Sequence, residues 1–263
     1  MSQQENKWTI NDLLKNLKRN KDAVIVIGDK AVEELELYPI NEESKKMFNK
    51  KKMVKEPKYF WKHYRENIAP DKGMSKSEEE LNNLLDLGIA KTVINLNYTG
   101  AIQPHICSTT QLIELKGNKN FGRCMSCEKT YLLEEDMLNT LSMLKCECKG
   151  KIAPSVVMFG EKYLQKNTQA VKDAIFTEED GKVKLNTHCL IFVGVDFEED
   201  YMHELIESYS AIKSEVSTDE DPYFCVMISE KDGVSIEYYQ PEFATYEDIP
   251  GALSRLIAQL KEA

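Results

Sequence analysis

The sequence predicts an α/β fold, a parallel sheet with helices on both faces that carries one small cysteine-bound module. Three observations predict it. Residues 23–28 (AVIVIG), 90–96 (AKTVINL), 190–195 (LIFVGV) and 223–229 (YFCVMIS) are short, largely apolar runs, as strands buried on both faces must be. The segments between them repeat apolar residues at helical spacing, and alternation of strand and helix builds a parallel sheet covered on both sides. Finally, four of the seven cysteines fall into two close pairs, Cys124 with Cys127 and Cys146 with Cys148.

In chain order, residues 8–19 place Trp8, Ile10, Leu13, Leu14 and Leu17 on one face of a helix, with Thr9 or Asn11 as its cap. The strand at 23–28 ends in Gly28, where a nucleotide-binding fold places glycines so that a phosphate can approach the backbone. Here Asp29, Lys30, Ala31, Val32, Glu33 and Glu34 follow, so three carboxylates occupy a turn that should attract a pyrophosphate. Residues 41–58 are rich in lysine and are read as a solvated face rather than a patch for an acidic partner. Tyr59, Phe60, Trp61 and Tyr64 have helical spacing and are expected to pack in a core.

Ser75 or Ser77, followed by glutamates, caps a helix through Leu81, Leu84, Leu85 and Leu87 that Gly88 stops. The C-x2-C and C-x-C pairs suit a tetrahedral zinc site of the ribbon type, with a helix-like segment between them and Gly150 relieving the backbone after the tighter pair. Residues 176–185 are read as a surface loop. A helix at 201–212 and a last helix capped by Asp248, with Pro250 in its first turn, complete the alternation.

Composition narrows the partners. With 34 basic and 44 acidic side chains the net charge is −10, which makes nucleic-acid binding an unfavourable expectation. The longest apolar run, residues 189–195, falls far short of the roughly 20 residues a membrane span needs. Thiols kept for zinc imply a reducing compartment, so an intracellular, cytoplasmic location is expected, and no signal peptide is read at the start.

LIELKGN at 112–118, the paired cysteines, and IAPSVVMFGE at 152–161 together resemble the sirtuins, as do PKYFWKHYRENI at 57–68 and LIFVGVDFEED at 190–200. The resemblance implies a Rossmann-like domain (1–32, 74–120 and 154–263), a helical insert (33–73) and a zinc-ribbon module (121–153). It implies zinc on Cys124, Cys127, Cys146 and Cys148. It also implies an NAD-dependent protein deacylase, but the positions that serve NAD in that family differ here. The family's general-base histidine reads Lys116, and the glycine-rich loop keeps only Gly28. The Gln-Asn-Ile-Asp-Gly stretch becomes Leu96, Asn97, Tyr98, Thr99 and Gly100; the Gly-Thr-Ser turn becomes Gly194, Val195 and Asp196; and the late Ile-Asn pair becomes Ile228 and Ser229. The expectation is therefore a binding or regulatory pseudoenzyme to which NAD does not bind, with an active deacylase or ADP-ribosyltransferase of atypical site as the alternative. Val157, Met158, Phe159, Gly160 and Glu161 correspond to the family's peptide-binding segment, so a peptide or protein in the interdomain cleft is the expected partner. His105 is a candidate displaced base, Cys107 lacks a partner at nucleophile spacing, and Asp196, Glu198, Glu199 and Asp200 form an acidic run.

Overall fold

Five apolar residues in a row, Ala23–Ile27, the last four β-branched, form β1 at the centre of a six-stranded sheet, and every one of them is buried. The computed structural model describes residues 8–39, 41–102, 109–139, 142–197, 200–230, 239 and 241–262. β1 pairs in parallel with β2 (Ala90–Asn95) on one side and with β9 (Cys189–Val193) on the other. β2 continues to the edge strand β3 (Gln111–Glu114), and β9 continues through β10 (Phe224–Ile228) to β11 (Phe243–Thr245). The strand order therefore reverses between β1 and β9, and a crevice opens beyond the carboxyl ends of those two strands.

Helices cover both faces. On one, α1 (Ile10–Asn20), α4 (Lys76–Leu85) and a C-terminal helix, α8 (Ile249–Glu262), seal Leu13, Leu17, Leu81, Leu84, Leu253 and Ile257 against the sheet. On the other, α6 (Gln165–Ile175) and α7 (Asp200–Val216) bury Val171, Ile175, Met202, Ile206 and Tyr209. Thr9 caps α1 and Ser75, not Ser77, caps α4, each in a reciprocal capping box. Trp8 lies before α1, with its ring edge-on to Phe224 at 5.7 Å.

A second lobe joins two short helices, α2 (Lys50–Lys55) and α3 (Pro57–Asn67), to a three-stranded antiparallel sheet. That sheet contains β4 (Phe121–Cys124), β5 (Thr130–Leu132) and β6 (Ile152–Pro154). Phe48, Met53, Phe60, Trp61 and Tyr64 are fully buried and share one core with Leu138, Ala153, Val156 and Met158, whereas Tyr59 is 57% exposed.

Three expectations require correction. Residues 176–185 are not a loop: β7 (Phe176–Glu179) and β8 (Lys182–Leu185) form an antiparallel hairpin. Asp180 and Gly181 both take left-handed backbone, as a two-residue hairpin turn requires. The helix-like segment between the cysteine pairs reduces to a single turn, α5 (Glu135–Leu138), since it has only Leu138 buried to anchor it. Lys149, not Gly150, makes the left-handed turn after the C-x-C pair, while a side chain at Gly150 would lie 2.7 Å from the Cys124 sulfur. None of the helices of the described residues is long and apolar enough to cross a membrane.

Candidate functional site

The strand reversal between β1 and β9 positions the loops that follow them. Gly28 donates its N–H to Val193 O at 2.9 Å, and a Cβ at Gly28 would sit 2.3 Å from Gly194 O. Gly194 has φ +60°, and a Cβ there would sit 2.4 Å from Ala31 N. These two glycines thus let one loop of the chain press on the other. A short 3-10 helix, Asp29–Leu35, begins at once, with Lys30 N–H donating to Gly194 O and Ala31 N–H to Gly28 O. Two donors at the mouth of the crevice are spent within the chain. The Ser75 hydroxyl donates to Ala31 O at 2.9 Å, fastening the same turn to α4.

Beside this turn lies a cleft of about 690 Å³, walled by Asp29, Glu33, Tyr38, Tyr98, Lys116 and residues 156–163. Lys116, from the loop after β3, donates from Nζ to Asp29 Oδ2 at 2.8 Å. This ion pair joins the carboxylate after β1 to the lysine that stands where the sirtuin resemblance expects a histidine. Tyr98 reaches across to Tyr38 O at 2.6 Å, and burial raises its phenol pKa.

Residues 156–161 bridge the two lobes. Val157 N–H donates to Lys116 O and Phe159 N–H to Phe48 O, while Met158 N–H is held by the Glu161 carboxylate. Val156 and Met158 are buried in the second lobe's core. The donors at 157–159 being engaged, a strand added here would have to supply its own. Of the other positions singled out, Asn97 is fully buried, its Oδ1 accepting from Thr99 N, and its Nδ2 has no partner among the described residues. Asp196 is exposed and Ser229 is buried, its N–H bound to Thr245 O. Neither lines the cleft. His105, Cys107, Glu198 and Glu199 lie outside the described residues, as does the side chain of Asp200. His63, His188 and His203 do not line the cleft; His188, for one, is bound to Asp22 at 2.7 Å.

A buried polar cluster behind the cleft carries no motif. Glu78 of α4 is fully buried and accepts from the Ser75 N–H and, at 2.8 Å, from the Thr99 hydroxyl. Burial raises its pKa against the hydrogen bonds that lower it. Lys119, 3% exposed, donates to Pro70 O at 2.6 Å, and burial lowers its pKa. In the sequence Glu78 shows only as a capping-box residue, so its second bond, to Thr99, could not be read there.

The four paired cysteines come together at the tip of β4 and the loop before β6, their sulfurs all within 4.8 Å of one another. Tetrahedral zinc, with bonds of about 2.3 Å, spaces its sulfurs by about 3.7 Å. The 3.5 Å separations of Cys124 from Cys148 and of Cys127 from Cys146 fit that spacing. The donor set therefore suits zinc. The Tyr131 hydroxyl donates to Cys146 Sγ at 2.9 Å, a bond that favours the thiolate and brings its pKa down to about 6.

Comparison with known proteins adds to this geometry. A family model described as the Sir2 family matches residues 32–187. A protein of Saccharolobus solfataricus named NAD-dependent protein deacetylase is 34% identical over 116 residues, which is 41% of this chain and 44% of the relative. One of Thermodesulfovibrio yellowstonii with the same name is 38% identical over 108 residues, 39% of this chain and 41% of the relative. The matched stretch thus spans less than half the length of these relatives. A solved structure described as Sir2 bound to acetylated peptide superposes with a TM-score of 0.69 at 18% identity, covering 97% of this chain and all of that one. A Sir2 homolog–NAD complex superposes with a TM-score of 0.69 at 16% identity over 96% of this chain and 94% of that one. At such identities the superpositions speak for the fold.

Proposed function

This chain belongs to the Sir2 family, and from that premise we propose that it is a zinc-bearing binding module whose cleft receives a protein segment without consuming NAD. The observation that carries the reading is the Asp29–Lys116 ion pair at the cleft wall. A lysine whose ammonium is bound to a carboxylate has no lone pair with which to take a proton from a substrate hydroxyl. Asp29 and Glu33 face the cleft with negative charge, and the N–H groups of Lys30 and Ala31 are spent on Gly194 and Gly28. These residues do not suit a pyrophosphate. A peptide partner is consistent with the peptide-bound Sir2 structure, and the apolar wall of the cleft offers side-chain pockets.

A second reading has its own support. The relatives are named NAD-dependent protein deacetylases, and nothing in the comparisons speaks for lost activity, so they weigh towards an active NAD-dependent enzyme with an atypical site. Calorimetric titration of the zinc-loaded protein with NAD and with ADP-ribose separates the readings, followed by an assay for nicotinamide release in the presence of acetylated peptides. The binding module gives neither saturable NAD binding nor nicotinamide. Saturable binding together with release establishes the enzyme and overturns the first reading.

A further inference from the structure

Between Ser44 and Lys62 the chain carries eight lysines and one glutamate, within a protein whose net charge is −10. The remainder of the chain therefore holds more than the whole acidic excess. Lys45, Lys52 and Lys62 have carboxylate neighbours in Glu42, Glu56 and Glu66. Lys46, Lys50, Lys51, Lys55 and Lys58 are exposed and form no ion pair or hydrogen bond with the described residues. Two exposed apolar side chains lie among them, Val54 at 37% and Tyr59 at 57%. Lys52 ties the two helices into one surface, its ammonium 5.8 Å from the centroid of the Tyr59 ring.

The placement of these charges costs local stability. Lys50, Lys51 and Lys52 form the first turn of α2, where the helix dipole disfavours cations, and Lys51 and Lys55 are a like-charged pair one turn apart. The helix is held instead by the Asn49 cap and by the buried Met53. Carboxylates from outside the chain would relieve both penalties. The surface also adjoins the cleft: Phe159 N–H is bound to Phe48 O, and Lys45 lies 5.4 Å from the centroid of the Phe159 ring.

We propose that the α2–α3 surface is a docking site for an acidic protein segment, held by the unpaired lysines and packed on Val54 and Tyr59. The charge distribution selects this partner over longer polyanions. Screening confines attraction to within roughly 10 Å, so a short acidic segment meets only the basic surface. A nucleic acid or an anionic membrane extends past it and meets the acidic remainder.

The test is a fluorescence-anisotropy titration of the zinc-loaded full chain with a labelled peptide of alternating glutamate, aspartate and glycine. The combined variant K50E, K51E and K55E is expected to weaken binding by about tenfold or more. The variant K172E, K182E and K184E makes the same change in net charge at exposed positions elsewhere and is expected to leave the affinity unchanged. Acidic residues suit the first turn of α2, which takes K50E and K51E, and K55E sets one exposed carboxylate in its last turn, so the first variant is expected to keep its circular dichroism and to melt within a few degrees of the native chain, roughly as a surface change should. Equal weakening by both variants, no saturable binding by the native chain, or tighter binding to duplex DNA or phosphatidylserine vesicles than to the peptide overturns the proposal. The peptide contains no lysine and the readout does not involve NAD, so failure here is separate from failure of the cleft reading.

Discussion

Asp29 and Lys116 decide more about this protein than any other pair, because each alters what the other can do. The pair is partly exposed, Asp29 more than half so. Its loss in Lys116→Ala is therefore expected to lower stability by less than about 1 kcal/mol, read from a urea melt. Its effect on charge is larger. Asp29→Asn removes a negative charge from the cleft wall, and is expected to improve ADP-ribose binding by about tenfold in a calorimetric titration. An unchanged affinity would mean that other features exclude the ligand. Glu78 makes a second prediction at this scale. Its raised pKa means that the folded state holds the proton more tightly than the unfolded chain does. Its contribution is complete below the unfolded carboxyl pKa of about 4.3 and is lost as pH rises through the folded value. Stability against urea is thus expected to fall over that acidic window in the native protein, more steeply than in Glu78→Gln, whose amide carries no titration. The substitution at position 116 was legible in the sequence, but its partner was not, since 87 residues separate the two in the chain.

Among the elements, the cysteine-bound module makes the strongest demands on its residues. Its sulfurs converge from the end of β4, the turn after it and the loop before β6, and Gly150 leaves room for the Cys124 sulfur. Chelation of zinc is expected to lose the β4–β5–β6 sheet and loosen the second lobe's shared core, seen as lost protection from amide exchange over residues 121–154 and around α3. Tyr131→Phe removes the hydroxyl bound to Cys146 and is expected to weaken zinc retention by about tenfold in competition with a chromogenic chelator. Gly117 is a second fixed point. Its φ is +84°, and a Cβ there would fall 1.9 Å from Ser155 O, so Gly117→Ala is expected to destabilise the lobe junction by about 1–3 kcal/mol in thermal or urea melts. At this scale the sequence was read well where periodicity was strong, as in α1, α4 and the central strands. It was read poorly at the β7–β8 hairpin. Asp180-Gly181 is a hairpin dipeptide, but the flanking strands are only four residues each and mostly exposed, so neither offered an apolar run to notice.

Over the whole molecule, two lobes meet along residues 156–161, which contribute buried Val156 and Met158 to one lobe and hydrogen-bond to the loop after β3 in the other. This dual attachment gives the segment a packing role that does not depend on any ligand. The strand-and-helix alternation, the paired cysteines and the absence of the family's histidine and glycines were all set out in the sequence, because buried parallel strands demand continuous apolar runs and a tetrahedral metal demands closely paired donors. Side-chain types at known motif positions likewise needed no coordinates. Only the tertiary structure decided that Asp29 pairs with Lys116, that Glu78 and Thr99 share a buried bond, and that backbone donors at the crevice and at 157–159 are already spent. These are contacts between residues distant in the chain, and local periodicity carries no record of them because it is set by what each segment buries rather than by what it meets.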